Sequence, residues 1–276
     1  KTGTLTRSEM TIERVVTASG EVRVTGVGYR PVGRVEHDGA ELTDGPLWYE
    51  TAAVLSGGSL ASNAVLQQAD GRWAIQGDPT EAAFLVAEQK LGTTQQRADR
   101  FTRVAEVPFT SERKMMSSLE VDAARAGKIA VITKGAPDVL LSRCTDVQLG
   151  TDVVPLDDDL RARVLADVDR LSAQAYRTLA VAYKPLEVTE APGPEEHVEH
   201  GLVYVGMVGI IDPPRAEAKE AVREAHRAGV RVIMITGDHP LTAGRIAADL
   251  GIVEPGAPVL TGSDLDGLDE KGLVDA

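Results

Sequence analysis

Apolar and polar positions follow two different rhythms along this chain, and the change of rhythm divides it. Leu202-Val-Tyr-Val-Gly-Met-Val-Gly-Ile-Ile211 is almost continuously apolar. Such a run predicts a strand buried on both faces, as in a parallel sheet. Asp212-Pro-Pro-Arg215 stops it, and Ala218, Ala221, Val222 and Ala225 then fall at i, i+3, i+4 and i+7. That spacing predicts a helix, which Gly229 would end. Residues 230–235 predict a second strand and Thr236-Gly-Asp238 a loop. Pro240 opens another helix with Ala243, Ile246, Ala247 and Leu250 on one face. Strand, helix, strand, helix is the pattern of a parallel α/β sheet.

Upstream the elements are shorter and polar positions interleave with apolar ones. Strands are predicted over 73–75, 102–107, 115–121, 129–133 and 178–183. Helices are predicted over 80–91, 137–143 and 157–175. This mixture predicts a largely antiparallel sheet with helices to one side. Residues 185–200 are polar, acidic and proline-containing, which predicts a linker. Residues 263–276 predict a weakly helical tail.

Composition narrows the function classes. With 29 basic and 42 acidic residues the formal net charge is −13, which argues against nucleic acid and anionic membrane surfaces as partners. Cys144 is the single cysteine among 276 residues, so an internal disulfide framework and a cysteine-based zinc site are excluded. The five His show no metal-ligand spacing, and no Gly-x-x-x-x-Gly-Lys-(Ser/Thr) occurs. Gly26-Val-Gly28 lacks the third glycine of a dinucleotide fingerprint.

In an open α/β sheet, ligands sit beyond the carboxyl ends of the strands. Asp212-Pro-Pro-Arg215 and Thr236-Gly-Asp238 occupy that position. A hydroxyl, a glycine amide and a carboxylate suit a phosphate with its Mg²⁺, although an Asp before a helix is also a common cap. Lys1-Thr-Gly-Thr-Leu-Thr6 is a second phosphate-friendly turn. Upstream of the linker, Gly77-Asp-Pro-Thr-Glu81, Phe109-Thr-Ser-Glu-Arg-Lys114, Lys134-Gly-Ala-Pro137 and Arg177-Thr-Leu-Ala180 stand out. Each has a plainer use. Lys114, Lys134 and Arg177 could be surface cations, Phe109 a core residue, and Glu81 a helix-dipole partner.

Together and in this order, these segments resemble the motifs of the P-type cation-transporting ATPases, over nearly the whole chain. The resemblance implies a Rossmann-like, haloacid-dehalogenase-type phosphorylation domain, incomplete here. It would be interrupted by an α+β nucleotide-binding domain with a mainly antiparallel sheet. The expected boundaries are 1–9 and 202–276 for the former and 10–201 for the latter. The family's phosphorylated Asp would immediately precede Lys1, and its later Mg²⁺-binding Asp would follow the end of the chain. The chain alone is therefore expected not to turn over ATP.

The resemblance assigns Glu81, Phe109, Lys114, Lys134, Gly135, Arg177, Asp212 and Arg215 to ATP. It places Lys1, Thr2, Thr236, Gly237 and Asp238 on the phosphoryl side, with Thr2 also serving Mg²⁺. The implied partners are the transmembrane and actuator domains of a plasma-membrane pump, with this chain monomeric and cytoplasmic. The expected ion is calcium. A soluble haloacid-dehalogenase-type phosphatase or phosphotransferase and a non-catalytic nucleotide-binding module are the alternatives.

Overall fold

The computed structural model describes residues 4–69, 71–192, 198–236 and 240–266, the side chains of 265 and 266 excepted. The chain divides into two compact units. The larger comprises Glu9–Ser172 and Tyr176–Ile211, and the smaller Lys1–Ser8, Ala173–Ala175 and Asp212–Ala276.

The larger unit contains all the described strands. They are β1 (Thr11–Thr17), β2 (Glu21–Val24), β3 (Val35–His37), β4 (Ala40–Glu41), β5 (Val65–Ala69), β6 (Arg72–Gln76), β7 (Phe101–Val107), β8 (Met115–Asp122), β9 (Lys128–Gly135), β10 (Cys144–Leu149), β11 (Asp152–Pro155), β12 (Arg177–Pro185) and β13 (Leu202–Ile211). Its helices are α1 (Pro46–Leu60), α2 (Pro79–Leu91), α3 (Thr94–Arg100), α4 (Pro137–Leu141) and α5 (Asp158–Ala173, whose last residue falls in the smaller unit).

The main sheet runs β4-β3-β2-β1-β13-β12-β9-β8-β7. Each neighbouring pair on that path is antiparallel, and β5–β6 form a separate hairpin. β13 is central. It pairs antiparallel with β1 through Thr11↔Ile211 to Thr17↔Gly206 and with β12 through Arg177↔Ile210 to Tyr183↔Val203. β10 pairs with it in parallel at Leu202–Tyr204.

Three expectations are corrected. The strand at 202–211 is present and buried on both faces, but it lies in an antiparallel sheet and belongs to the larger unit. Continuous apolarity reports two covered faces, which an antiparallel sheet with helices on both sides also provides. The helices are accordingly not confined to one side. α1 and α2 cover the face carrying Ala130, Ile132, Val181, Val205 and Val208, whereas α4 and α5 cover that of Met115, Ala180, Tyr204 and Met207. The strand predicted over 230–235 is not formed. A strand persists only when paired laterally, and no described strand lies beside this run, which leaves Val230, Ile233 and Ile235 exposed.

In the smaller unit, α6 (Ala216–Arg227), α7 (Pro240–Leu250) and the short α8 (Gly262–Asp266) match the helical stripes. Residues on either side of the larger unit run antiparallel here. Arg7 N donates to Pro213 O (3.0 Å), Arg215 N to Leu5 O (2.8 Å), and Thr6 pairs with Pro214. Among the described residues no helix is long and apolar enough to cross a membrane.

Candidate functional site

The α1–α2 face of the sheet holds a buried cation. α1 approaches this face closely because Gly57 and Gly58 carry no Cβ. One at Gly57 would sit 2.8 Å from Val181 Cγ1, and one at Gly58 2.0 Å from Phe84 Cδ1. α2 starts on a strong local signal. Asp78 caps it, accepting from Thr80 N at 2.7 Å, Pro79 follows as the first helical residue, and Glu81 lies in the first turn. The carboxylate of Glu81 thus projects from the N-terminal end of α2 beside the last turn of α1.

Lys134, near the end of β9, meets it there. Its Nζ lies 3.2 Å from Glu81 Oε1, 3.2 Å from Ser62 Oγ and 5.5 Å from the centre of the Phe84 ring. Asn63 N donates to the other Glu81 oxygen at 2.8 Å. Lys134 is 5% exposed. Burial pulls its pKa below the ordinary lysine value, and Glu81 opposes that shift. An ammonium held this way is charged, desolvated and hydrogen-bonded. Such a group binds an anion or a polar ring edge more strongly than a hydrated lysine does.

The sheet brings other predicted residues to the same end. The turn between β7 and β8 carries Phe109 and Lys114, β9 ends at Gly135 and β12 begins at Arg177. Gly135 is required by close approach, since a Cβ there would meet Lys114 O at 2.8 Å and Met115 Cβ at 2.6 Å. Ala136 N donates to that same Lys114 carbonyl. Arg177 Nη1 donates to Thr80 Oγ1 at 3.3 Å, one residue from Glu81. Phe109 is 60% exposed, an unusual place for one of only three phenylalanines.

Glu81, Phe109, Lys114, Lys134, Gly135 and Arg177 therefore converge at one end of the sheet. The others do not join them. Asp212 and Arg215 lie in the smaller unit, where Asp212 Oδ2 accepts from Thr6 Oγ1 at 2.7 Å and Arg215 Nε donates to Thr6 O at 2.9 Å. Thr236 is also in the smaller unit. Lys1, Thr2, Gly237 and Asp238 lie outside the described residues.

Sequence reasoning missed the supports of this site. Arg103 on β7 donates to Leu60 O, to Ser62 O at 2.9 Å and to Asn63 Oδ1 at 2.6 Å, and pairs with Glu120. It fixes the segment from which Ser62 and Asn63 reach Lys134 and Glu81. Its place on an alternating strand, with a polar side chain on the covered face, was the available signal. Ser62 and Asn63 carried none.

A cavity of about 480 Å³ opens between the other end of α1 and the same sheet, lined by residues that include Trp48, Tyr183 and three arginines. Arg97 is paired with Glu88, Arg100 with Asp122 and Arg125 with Glu187. Each of these cations is paired with a carboxylate, as Lys134 is with Glu81, so pairing alone does not separate the two ends; the residues singled out in the sequence gather at the Lys134 end.

An antiparallel domain whose chain enters and leaves side by side, with a partly buried lysine–glutamate pair at one sheet end, is a module inserted between the two stretches of the smaller unit. Comparison with known proteins places it. The pattern of the family described as P-type ATPase, cytoplasmic domain N, matches residues 50–217. A calcium-transporting ATPase of Bacillus subtilis is 37% identical over 277 residues, covering 99% of this chain and 30% of that protein. A probable cation-transporting ATPase F of Mycobacterium tuberculosis is 37% identical over 279 residues, covering 97% and 30%. Calcium-transporting ATPase 1 of Lactococcus lactis is 39% identical over 202 residues, covering 72% and 22%. The chain belongs to the P-type ATPase family. It spans about 30% of the length of the first two of these relatives.

Proposed function

We propose that the larger unit binds the adenine nucleotide of a membrane-bound, cation-transporting P-type ATPase, with calcium as the transported ion. The carrying observation is the pairing of buried Lys134 with half-buried Glu81 at the sheet end where Phe109, Lys114 and Arg177 also emerge. The exposed Phe109 ring offers a stacking surface for adenine, a contact worth about 1–3 kcal/mol. Glu81, already anchored by Lys134 and Asn63, can accept from the base's amino group. Lys134 borders the ring edge, and Lys114 and Arg177 supply cations for the phosphates.

In this reading the smaller unit, with residues 1–8 and 212–276, forms part of a haloacid-dehalogenase-type phosphorylation domain. Thr2, Thr236, Gly237 and Asp238 stand on its phosphoryl side and Lys1 beside them. The whole pump couples ATP hydrolysis to transport through an aspartyl-phosphate, with its transmembrane and actuator domains as partners. The described residues include no group of three or more His, Cys, Asp or Glu side chains able to ligate a metal, and Thr2, the residue expected to serve Mg²⁺, lies outside them. In this reading the residues at the sheet end bind and orient the base, with Lys114 and Arg177 facing the phosphates.

Because base contacts dominate, ATP, ADP and AMP should bind this chain with affinities within about tenfold of one another, ~1.4 kcal/mol. Titration calorimetry of the three decides it, and ATP binding more than tenfold tighter than AMP would sink the reading. Lys134→Ala leaves the half-buried Glu81 without its cation, and should weaken all three nucleotides together by at least tenfold, ~1.4 kcal/mol.

A further inference from the structure

The loop that presents Phe109 and Lys114 is clamped from behind the sheet. Within it, Lys114 N donates to Thr110 O at 2.8 Å and Arg113 N to Thr110 Oγ1 at 3.2 Å. Lys114 itself has φ +52°, a conformation sparsely populated by non-glycine residues, so something must hold it there.

Arg113 closes the loop. One guanidinium nitrogen donates to Pro108 O at 2.9 Å, next to Phe109, and the other pairs with Glu199 Oε1. Glu199 is 2% exposed and comes from the segment between β12 and β13. The same carboxylate oxygen accepts from Ser117 Oγ at 2.5 Å, and Ser117 Oγ lies 2.9 Å from Thr133 Oγ1. Ser117 and Thr133 are cross-strand partners on β8 and β9. Strand alternation turns them to the face opposite Met116 and Lys134. The neighbouring Val198 is buried in a cluster with Val107, Leu119, Ile129 and Val131, which seats this segment on that opposite face.

A buried carboxylate is retained only when its charge is met. Here Arg113 and Ser117 meet it, and a single side chain links a distant segment, two strands and the loop.

We infer that Glu199 is a positioning residue for the nucleotide site. Its carboxylate holds Arg113, and through Arg113 the Pro108–Lys114 loop, so that Phe109 and Lys114 are presented from the other side of the sheet. This rests on the nucleotide reading above.

The test uses the full chain with AMP and ATP in calorimetry, and amide exchange at Arg113 and Lys114 without nucleotide. Glu199→Gln keeps the shape and the Ser117 bond but removes the charge. It should weaken both nucleotides by a common factor of about three to ten and speed exchange of the two loop amides. Arg113→Gln, with its partly exposed side chain, should do the same and serves if the buried substitution does not fold. The double variant should be no weaker than either single one, because both act through one link.

Affinities within twofold of the parent in folded Glu199→Gln or Arg113→Gln would overturn the inference, as would additive losses in the double variant. Should the parent bind neither nucleotide, the nucleotide reading fails. The amide exchange then decides the positioning by itself, and unchanged rates in Glu199→Gln or Arg113→Gln overturn it.

Discussion

Two apolar runs in this chain met opposite fates. Leu202–Ile211 is buried throughout, with β1 and β10 on one edge and β12 on the other. Residues 230–235 have the same character in sequence, yet Ile233 is 71% and Ile235 88% exposed. Hydrophobicity states a need for cover, and lateral partners decide whether a strand exists to receive it. The first run has three partners from the larger unit, and the second has none among the described residues.

Substitutions in the two runs measure that difference. Gly206→Val should have the largest effect, because its Cβ would sit 2.6 Å from Val16 O and 2.8 Å from Val54 Cγ2. A loss of about 3 kcal/mol or more is expected in urea unfolding. Ile210→Ala, at a position 1% exposed, should follow at about 2–4 kcal/mol.

A charged counterpart of the contrast is Lys90. Its Nζ donates to Gly26 O at 2.9 Å, and burial, partly offset by Glu13, pulls its pKa down to about 8 from 10.5. Between those values the unfolded chain binds the extra proton. The contribution of Lys90 to stability therefore rises with pH across that window, by about 1–2 kcal/mol from pH 8 to 10. Lys90→Met should flatten the rise relative to the parent. An identical slope in the two proteins would show that Lys90 is not desolvated. Smallest of all, Ile233→Ser should change stability by less than about 0.5 kcal/mol. A loss as large as that of Ile210→Ala would mean the run is covered after all.

Much of the larger unit was legible because its signals are local. The start of α2 was written in Asp78-Pro79-Thr80-Glu81, and β7, β8, β9 and β12 fell close to where alternation put them. Gly92 closes α2 in the left-handed conformation that the helix end required. β1, β2, α1 and the β10–β11 hairpin were not anticipated. α1 contains Ser56-Gly-Gly-Ser59, which reads as a turn, and only its packing against Phe84 and Val181 makes those glycines useful. Sheet direction was illegible for a related reason. Nothing in Leu202–Ile211 says that its neighbours run the other way, since pairing is written in residues as distant as Thr11. At the candidate site, the residues that gather at the sheet end had been singled out in the sequence, whereas Arg103, Asn63 and Glu199 became visible only when the fold placed them.

The position of β13 also has a consequence for how the protein is made. The central strand of the sheet is the last strand of the larger unit. β1 emerges from the ribosome about 200 residues before its partner, a delay on the order of ten seconds or more at ordinary synthesis rates. Throughout that interval the edge of β1, and near its end that of β12, is an unpaired template for other chains. The sheet is completed by a single long-range closure, so release of the nascent chain beyond Ile211 is the step at which folding of the larger unit can finish.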